Sequence, residues 1–342
     1  MSTPQDQQDR GRLPKDDVSS YPASAADMQR YVDDRGVLSH FQAPVLVHKD
    51  NPHERLYVAC FDGTGNDKNK DPVHETNIGK ISDQIDALKK PDGSEHIAQG
   101  YVAGPGTEDG AWRRTWDGAL GYTYDARLEE MYDRFIREAR QWKRTDPDAQ
   151  IRVAETGFSR GAEEAAGFAR LIEERGIQDP TDAIYTRNSH REITHVQYTR
   201  PPLVPPHEVA QAVALFDPVG TGAPINDYDR RLPPSVISGV QLIATEERRS
   251  LFKSDHIIDP GVTSNDRFAG LYVPGAHSDV GGSYLLDGLS IRSGNLVTDY
   301  LNGLSDTPYL DKQAVPDDPA MNVVHRSERG SLIYWLTQGW TA

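Results

Sequence analysis

The Gly157-x-Ser159-x-Gly161 motif has the residue types and spacing best suited to nucleophilic chemistry in this sequence. A short apolar run at 151–154 precedes the motif, and an Ala- and Glu-rich stretch at 162–175 follows it. These flanks predict a strand before the motif and a helix after it, which is the arrangement of a nucleophile elbow. The motif therefore predicts Ser159 as a nucleophile and the two glycines as the flanks of a sharp turn. A chance turn serine is the alternative.

His277 is the histidine whose position best suits a general base for this serine. A serine hydroxyl needs a base to accept its proton, and in this arrangement the base follows a later strand. The chain has 11 histidines, and His277 follows an apolar run at 271–273 after a Pro-Gly-Ala turn. His256 and His325 lack such a context. We therefore predict His277 as the base, with a surface or core histidine as the alternative.

Asp217 is the predicted acid that orients the base. It ends the apolar run at 210–216 and lies between the serine and the histidine in the chain, which is the expected order. An aspartate before proline also caps turns, so a structural role is the alternative. Asp279 is a weaker candidate, since a residue two positions from His277 would struggle to turn back onto that ring. The three predicted side chains would form a triad that hydrolyses acyl esters.

Backbone amides for an oxyanion hole are predicted at two places. The first is the amide of Arg160, because the residue after the nucleophile begins the helix and carries its partial positive charge. The second is expected from the glycine-rich loop at 62–66, which follows an apolar run at 56–61. Within this loop we predict the amide of Gly63 or Thr64.

The loop at 62–66 permits two other interpretations. Asp-Gly-Thr after an apolar strand also suggests haloacid-dehalogenase-type phosphatases, but Cys60 stands where their nucleophilic aspartate would be. The acidic stretch at 67–71 begins like an EF-hand calcium loop, yet it lacks the required glycine and final glutamate. An irregular cation site within 62–71 is a weaker alternative to a solvated loop. No metal and no other cofactor is predicted.

Strands and helices are predicted to alternate along the chain. The predicted strands are 56–61, 97–103, 151–154, 210–216 and 271–273, and the predicted helices are 76–88, 128–139 and 162–175. This alternation predicts an α/β fold with a mostly parallel central sheet that helices cover on both faces. Such sheets place their sites at the carboxyl ends of the strands, which is where the candidate residues fall.

The sequence predicts a polar arm and one larger domain. Residues 1–50 are polar without a sustained period, apart from a short amphipathic stretch at 26–31, so we expect them to be flexible or to wrap the surface. Residues 51–342 form the predicted catalytic domain. The polar, proline-rich segment at 177–209 interrupts the alternation. We expect it to be an insertion over one end of the sheet that could flank the active site.

Composition disfavours several classes of protein and site. The 342 residues include 37 Lys+Arg and 52 Asp+Glu, and the net charge of -15 disfavours nucleic-acid binding and general attraction to anionic membranes. Cys60 is the single cysteine, which excludes an intramolecular disulfide and a zinc site built from cysteines. Residues 1–17 lack the apolar core of a signal peptide, and no apolar run is long enough to span a membrane. We therefore expect synthesis in the cytoplasm and export by a specialised machine.

Several motifs in chain order resemble a known family, the α/β-hydrolase catalytic domain of the type VI secretion lipase effectors, first class of the Tle group. The resemblance spans about 55–285. It implies a phospholipase that cleaves acyl esters, and by match it places the nucleophile at Ser159, the acid at Asp217 and the base at His277. The motifs are Phe61-Asp-Gly-Thr-Gly-Asn66, Thr76-Asn77, Gly157-Phe-Ser-Arg-Gly161, Phe216-Asp-Pro-Val-Gly220, Glu247-Arg248-Arg249 before Phe252, and Pro274-Gly-Ala-His-Ser-Asp-Val-Gly-Gly282.

The resemblance also implies partners and a setting. The implied function is a phospholipase A-type toxin that is injected into rival bacteria, with an immunity protein and secretion machinery as partners. Two alternatives stay open. The hydrophobic content of 37% and the modest lid candidate Leu203-Val204 also allow a soluble ester or another acyl group as the substrate. A non-enzymatic interaction module on the same scaffold is the other alternative.

Overall fold

Strands and helices alternate over the part of the chain that the computed structural model describes, namely residues 16, 18–90, 95–105, 120–220, 231–249 and 253–327. The first fifteen residues of the predicted arm, and Phe252 of the Glu-Arg-Arg motif, lie outside these residues. The strands are β1 (Ser20–Pro22), β2 (Glu54–Phe61), β3 (Ile97–Val102), β4 (Gln150–Phe158), β5 (Ile184–Arg187), β6 (Ile193–Gln197), β7 (Gln211–Phe216), β8 (Val236–Ala244), β9 (Gly261–Val262), β10 (Phe268–Val273) and β11 (Val323–His325). The helices are α1 (Ala25–His40), α2 (Asn77–Asp86), α3 (Leu120–Thr145), α4 (Arg160–Arg175), α5 (His277–Gly281) and α6 (Gly288–Gly303).

A central sheet with the strand order β3-β2-β4-β7-β8-β10-β9 positions the site. Neighbouring strands are parallel, except that the short strand β9 pairs antiparallel with β10. Every residue of β2 and of β7 is buried, as expected for strands that are covered on both faces. The predicted α/β fold with a mostly parallel, doubly covered sheet is confirmed.

Helices cover both faces of this sheet and create two apolar cores. Helices α3 and α4 pack on one face, where β2 contributes Tyr57, Ala59 and Phe61. Helices α1, α2 and α6 pack on the other face, where β2 contributes Val58 and Cys60. This alternation follows from the two-residue period of a strand. Among the helices in the described ranges, none combines the length and the apolar content that a membrane span requires.

Strand β8 and helix α6 are not among the elements predicted from the sequence, because they show little of the apolar periodicity that predicts the others. Gln241 of β8 is buried, and its side chain donates to the Asp255 carbonyl at 2.7 Å and accepts from the Ile258 N–H at 2.9 Å. Such satisfied polar residues interrupt the apolar run that would have indicated a strand. Helix α6 is buried on most sides, so Ser293 and Thr298 occupy buried positions and no one-sided apolar stripe appears.

The arm packs on the domain over the part that the structure describes. Ser24 caps α1, because its hydroxyl accepts the Asp27 N–H at 3.1 Å and its own N–H donates to the Asp27 carboxylate at 2.7 Å. Tyr31 of α1 is buried, and its hydroxyl lies 3.0 Å from both the Pro274 carbonyl oxygen and Ser293 Oγ. Strand β1 pairs antiparallel with β11. Over these described residues the arm therefore packs on the surface of the domain, and the flexibility of the arm stays a prediction. The boundary near residue 50 stays a prediction.

The segment at 177–209 contains the β5–β6 hairpin and lies away from the carboxyl ends of the strands. Helix α4 begins at the carboxyl end of β4, so its last residue, Arg175, lies near the amino ends, where β7 also begins. The hairpin packs beside α3, since the Tyr185 hydroxyl donates to Asp133 at 2.7 Å. The expectation that this segment could flank the active site is wrong, because a connection from a helix back to a parallel strand lies at the opposite edge.

Candidate active site

The Gly-x-Ser-x-Gly motif forms a sharp strand-to-helix turn. Strand β4 ends at Phe158, α4 begins at Arg160, and Ser159 between them has φ 59° and ψ -124°. A Cβ on Gly157 would lie 2.2 Å from the Gly161 carbonyl oxygen, which is too close for any side chain. A positive φ at a non-glycine residue is a strained conformation of the kind expected at a nucleophile elbow.

Backbone hydrogen bonds tie Ser159 to the loop after the neighbouring strand. Its N–H donates to the Phe216 carbonyl at 3.0 Å, and its own carbonyl accepts the Val219 N–H at 3.2 Å. The residue is only 4% exposed. Because β4 and β7 are parallel neighbours, their carboxyl ends meet here. These bonds hold Ser159 in its strained conformation close to the turn that contains Asp217.

Asp217 and His277 form a buried pair at this edge of the sheet. His277 Nδ1 donates to Asp217 Oδ2 at 2.6 Å, while Asp217 Oδ1 accepts the Ala244 N–H at 2.9 Å. The Asp217 side chain is fully buried, and that of His277 is 5% exposed. An ionised carboxylate can only accept hydrogen bonds, so Nδ1 carries the proton and Nε2 is the basic nitrogen. The pair therefore has the geometry of an oriented general base.

The His277 ring lies against the residue that precedes Ser159. The ring centroids of His277 and Phe158 are 4.6 Å apart, with an interplanar angle of 34°. Helix α5 can approach this closely because Gly281 has no side chain, and a Cβ there would lie 2.2 Å from the Phe158 ring. Helix α5 thus packs on the elbow and brings the imidazole to the edge of the sheet where the serine stands.

Asp279, the alternative acid, contacts a different histidine. Its Oδ1 accepts a hydrogen bond from His325 Nδ1 at 2.5 Å, and its Oδ2 accepts the Ala276 N–H at 2.9 Å. Residues two apart on a helical turn point in different directions, so Asp279 and His277 face different partners. Of the two carboxylates considered from the sequence, Asp217 is the one that contacts His277.

His325 of β11 is buried between two carboxylates. Its Nδ1 pairs with Asp279, and its Nε2 lies 3.1 Å from Asp16 Oδ2 in the arm. The Tyr284 ring stacks on the imidazole, with the ring centroids 3.9 Å apart. Burial lowers the pKa of His325, but the hydrogen bonds and charges of Asp279 and Asp16 outweigh it and raise this pKa above its ordinary value. The hydrogen bonds of this histidine therefore join the arm to α5.

The loop after β2 is built around the buried carboxylate of Asp62. This carboxylate accepts hydrogen bonds from the Gly63 N–H at 2.8 Å, the Thr76 hydroxyl at 2.8 Å and the Tyr101 hydroxyl at 2.7 Å. Burial raises the pKa of Asp62, and these donors offset only part of that effect. The Gly63 amide is thus engaged within the loop, whereas Thr64 is exposed and its N–H meets no acceptor among the described residues. Thr64 is therefore the better candidate of the two predicted amides.

The same loop lies directly against the elbow. A Cβ on Gly161 would lie 2.2 Å from the Phe61 carbonyl oxygen and 2.6 Å from that of Asp62. Strands β2 and β4 are parallel neighbours, so the start of α4 and the loop after β2 share one edge of the sheet. The amides of Arg160 and Thr64, both predicted as oxyanion donors, consequently lie on the same side of the molecule as Ser159.

Glu247 belongs to the site, although the sequence motifs assign no role to it. Its carboxylate accepts the backbone N–H of His277 at 3.2 Å and also pairs with the guanidinium of Arg249. The signal that could have found it is the Glu-Arg-Arg motif of the family resemblance. The motif alone does not reveal the contact between Glu247 and His277, because the two residues follow different strands and only the folded sheet brings them together.

The group of metal-ligand side chains found among the described residues lies outside the acidic stretch at 67–71. The residues His53, Asp146 and Asp148 are close enough to share an ion, but Arg55 Nη2 lies 3.3 Å from the Asp146 carboxylate and supplies the positive charge. The acidic stretch at 67–71 forms no such group among the residues described. A calcium site there receives no support from this geometry.

A groove of about 730 Å³ runs along the outer edge of β3. Its walls carry charged side chains, including Lys68, Asp86, Arg127 and Arg134, and none of the three candidate catalytic residues lines it. A charged groove at this position does not suit an acyl chain. The groove is therefore separate from the candidate active site.

The fold and the elbow place the protein among the α/β-hydrolases. The chain belongs to the family described as "T6SS, Phospholipase effector Tle1-like, catalytic domain", whose model matches residues 55–307. The resemblance drawn from the motifs is thereby confirmed, and the family is one of hydrolases of the lipase and esterase type. Comparison with curated protein sequences gives no match.

Solved structures resemble the chain at low sequence identity. An uncharacterized protein from Pseudomonas aeruginosa is 19% identical with a TM-score of 0.47, over 93% of this chain and 54% of that one. The Tle1 effector bound to the VgrG spike of the type 6 secretion system is 20% identical with a TM-score of 0.41, over 71% and 52%. A dienelactone hydrolase from Anabaena variabilis is 10% identical with a TM-score of 0.33, over 77% and 89%. The chain thus spans about half the length of the first two.

Proposed function

We propose that the protein is a serine hydrolase that cleaves the acyl esters of phospholipids. Ser159 is the nucleophile, His277 the general base and Asp217 the acid that orients it. The observation that carries the proposal is the 2.6 Å hydrogen bond between Asp217 and His277, at the edge of the sheet where Ser159 occupies its strained turn. The family description supports a phospholipid substrate.

In the acylation step, Ser159 Oγ forms a bond to the ester carbonyl carbon while His277 Nε2 takes the hydroxyl proton. The carbonyl electrons move onto oxygen and give a tetrahedral oxyanion. Asp217 keeps the other imidazole proton on Nδ1 and stabilises the positive charge on the ring. The intermediate collapses when the bond to the leaving oxygen breaks, and this oxygen takes the proton from Nε2. The products are a lysophospholipid and an acyl-serine.

Deacylation repeats these steps with water. His277 Nε2 takes a proton from water while the water oxygen attacks the acyl carbon. Collapse of the second intermediate breaks the bond to Ser159 Oγ and returns the proton to the serine. The amides of Arg160 and Thr64 donate to both oxyanions, aided by the partial positive charge at the start of α4. The reaction consumes one water and releases a fatty acid, and this scheme uses no cofactor.

The family also supports a role in competition between bacteria. Its description names a phospholipase effector of the type VI secretion system, and one solved relative is an effector bound to a VgrG spike. We extend both properties to this chain as part of the proposal. The protein would then be exported by that machinery as an antibacterial toxin, and the producing cell would need an immunity protein.

The decisive test compares Ser159→Ala with the matched surface change Ser39→Ala. Ser39 is exposed on α1, and among the described residues its hydroxyl bonds only the Gly36 carbonyl and His40 of the same helix. Fatty-acid release is measured from phosphatidylethanolamine vesicles and from a soluble short-chain ester. A fluorophosphonate probe, followed by mass spectrometry, locates the labelled residue. Circular dichroism confirms that both variants are folded.

We expect Ser159→Ala to lose at least about 10³-fold in rate and to escape labelling, because the nucleophile is absent. Ser39→Ala should keep the rate and the label of the wild type. Hydrolysis of the soluble ester without the vesicle substrate would overturn the phospholipid assignment while keeping the serine mechanism. A folded Ser159→Ala variant with full activity would overturn the mechanism itself.

A further inference from the structure

The segment after β8 lies between the turn that holds Asp217 and the helix that carries His277. Within it, Glu247 Oε2 accepts the backbone N–H of His277 at 3.2 Å. Arg249 binds the same carboxylate in a bidentate manner, with Nε donating to Oε1 at 2.9 Å and Nη2 donating to Oε2 at 2.9 Å. A second carboxylate therefore lies beside the candidate base, in addition to Asp217.

Glu247 keeps its charge although it is buried. Its side chain is 5% exposed and that of Arg249 is 13% exposed. Burial raises the pKa of Glu247, but the hydrogen bonds and charge of Arg249, together with the charge of His277, bring it below its ordinary value. A charge in such a poorly solvated place acts more strongly on its neighbours than a surface charge would.

The groups that face His277 come from several elements of the described structure. They are Asp217 after β7, Glu247 and its partner Arg249 from the segment after β8, and the uncharged Phe158 ring from β4. Asp279 lies on the same helix, α5, but faces another partner. The Asp279 carboxylate is already paired with His325. An imidazolium formed at His277 would thus have two carboxylates nearby, and Arg249 would partly offset one of them.

We propose that Glu247 is a positioning residue for His277. It holds the backbone of His277 at the start of α5, and its charge stabilises the imidazolium that forms during ester hydrolysis. Glu247 acts through the histidine and does not touch the substrate. Arg249 sets how much of the carboxylate charge the ring experiences. This inference rests on the proposed function, and it gives the Glu-Arg-Arg motif a role in the reaction.

Glu247→Gln separates this role from a purely structural one. Glutamine keeps a side-chain oxygen that can accept the His277 N–H, so a residue needed only for structure should tolerate the change. Loss of the charge should destabilise the imidazolium. We expect kcat to fall about tenfold with KM unchanged, and the acid limb of the kcat/KM profile to move down by at least about half a pH unit.

Arg249→Met gives the opposite test of the same charge. Removal of the guanidinium leaves the Glu247 carboxylate less compensated, so its effect on His277 becomes stronger. The acid limb should then move to higher pH, in the direction opposite to Glu247→Gln. Should Arg249→Met fail to fold, the glutamine variant and the titration below still decide the question. Arg267→Met serves as the control and should leave the limb in place, because this exposed residue donates to the Val236 and Ile237 carbonyls at the amino end of β8, opposite the candidate site.

An NMR titration of His277 gives a readout that does not depend on turnover. The ring resonance is assigned by its loss in His277→Gln and is followed from pH 4 to 9 in wild type and Glu247→Gln. We expect a lower midpoint in Glu247→Gln. A wild-type protein without esterase activity would overturn the proposed function, while the titration would still test Glu247. Superposable titrations and rate profiles, or a shift to higher pH in Glu247→Gln, would overturn the inference.

Discussion

Asp217→Asn is the most informative single change at the candidate site, because asparagine has the same shape without the charge. Its side-chain oxygen can still accept the Ala244 N–H that Asp217 accepts at 2.9 Å. Its amide group would then face His277 Nδ1, where the aspartate now accepts a hydrogen bond from the Nδ1–H at 2.6 Å. Two donors cannot face each other, so Nδ1 must become an acceptor. The imidazole proton then moves to Nε2, and the nitrogen that should take the serine proton is blocked.

The size of this effect follows from the burial of the pair. The Asp217 side chain is fully buried and that of His277 is 5% exposed. Water therefore cannot take the place of the carboxylate and hold the imidazole ring in its orientation. A triad with the wrong tautomer loses about 10⁴ in kcat. At about 1.36 kcal/mol per decade, this loss corresponds to ~5.4 kcal/mol of transition-state stabilisation. Stability should change far less, because the variant removes a buried charge and keeps one of its hydrogen bonds.

Kinetics and thermal unfolding together test this reasoning. Hydrolysis of a soluble ester is measured under saturating substrate, and circular dichroism gives the midpoint of unfolding. The control is Asp266→Asn, an exposed loop residue with φ 53°, since asparagine tolerates a positive φ. A folded Asp217→Asn variant that keeps kcat within about tenfold of wild type would refute the assigned role, because a wrong tautomer costs far more than that.

Three further changes test the packing, the oxyanion amide and the buried histidine. Gly161→Ala presses a Cβ on the backbone of β2 and should lower the free energy of unfolding, measured in urea titrations, by about 1–3 kcal/mol. The control Gly36→Ala has open space around the new Cβ and should raise this free energy by about 0.5–1 kcal/mol. Equal effects of the two changes would contradict the close approach at the elbow. Thr64→Pro removes the proposed oxyanion donor and should lower kcat about 10²–10³-fold in the ester assay, and an unchanged kcat would point to another donor. Because the pKa of His325 is raised, its pairing with Asp16 stabilises the fold below the ordinary histidine pKa, and this contribution is lost as pH rises through the raised value. Asp16→Asn should therefore lower the free energy of unfolding by about 1.5–3 kcal/mol at pH 5.5 and by little at pH 10. The same loss at both pH values in urea titrations would show that the pairing is not with an imidazolium.

The elbow is the part of the site that the sequence predicts best, because its information is local. The Gly-x-Ser-x-Gly motif and its apolar and helix-forming flanks are contiguous, and the structure places Ser159 between β4 and α4 as expected. The pairing of Asp217 with His277 spans three strands. It depends on β8, which the sequence pattern does not predict and which supplies the Ala244 N–H that holds the aspartate. Strand-end positions could nominate both residues, but only the sheet order brings them together.

Side-chain hydrogen bonds decide what the motifs leave open. The sequence nominates both Gly63 and Thr64, and the distinction follows from the Asp62 carboxylate, which accepts the Gly63 N–H. That carboxylate is buried by tertiary contacts, including the Tyr101 hydroxyl from β3. The same limit applies to Glu247, whose partner His277 is thirty residues further along the chain. Contacts of this kind have no periodicity that a sequence pattern could reveal.

Both ends of the described chain support the helical turn that carries the candidate base. From the arm, the Tyr31 hydroxyl donates to the Pro274 carbonyl, just before α5. The Asp16 carboxylate and the Asp279 carboxylate bind the two nitrogens of His325, and Asp279 also accepts the Ala276 N–H at the start of α5. Since α5 has only one turn, its own hydrogen bonds could not hold a histidine against the elbow. The described part of the arm and the last strand therefore matter for the orientation of the base.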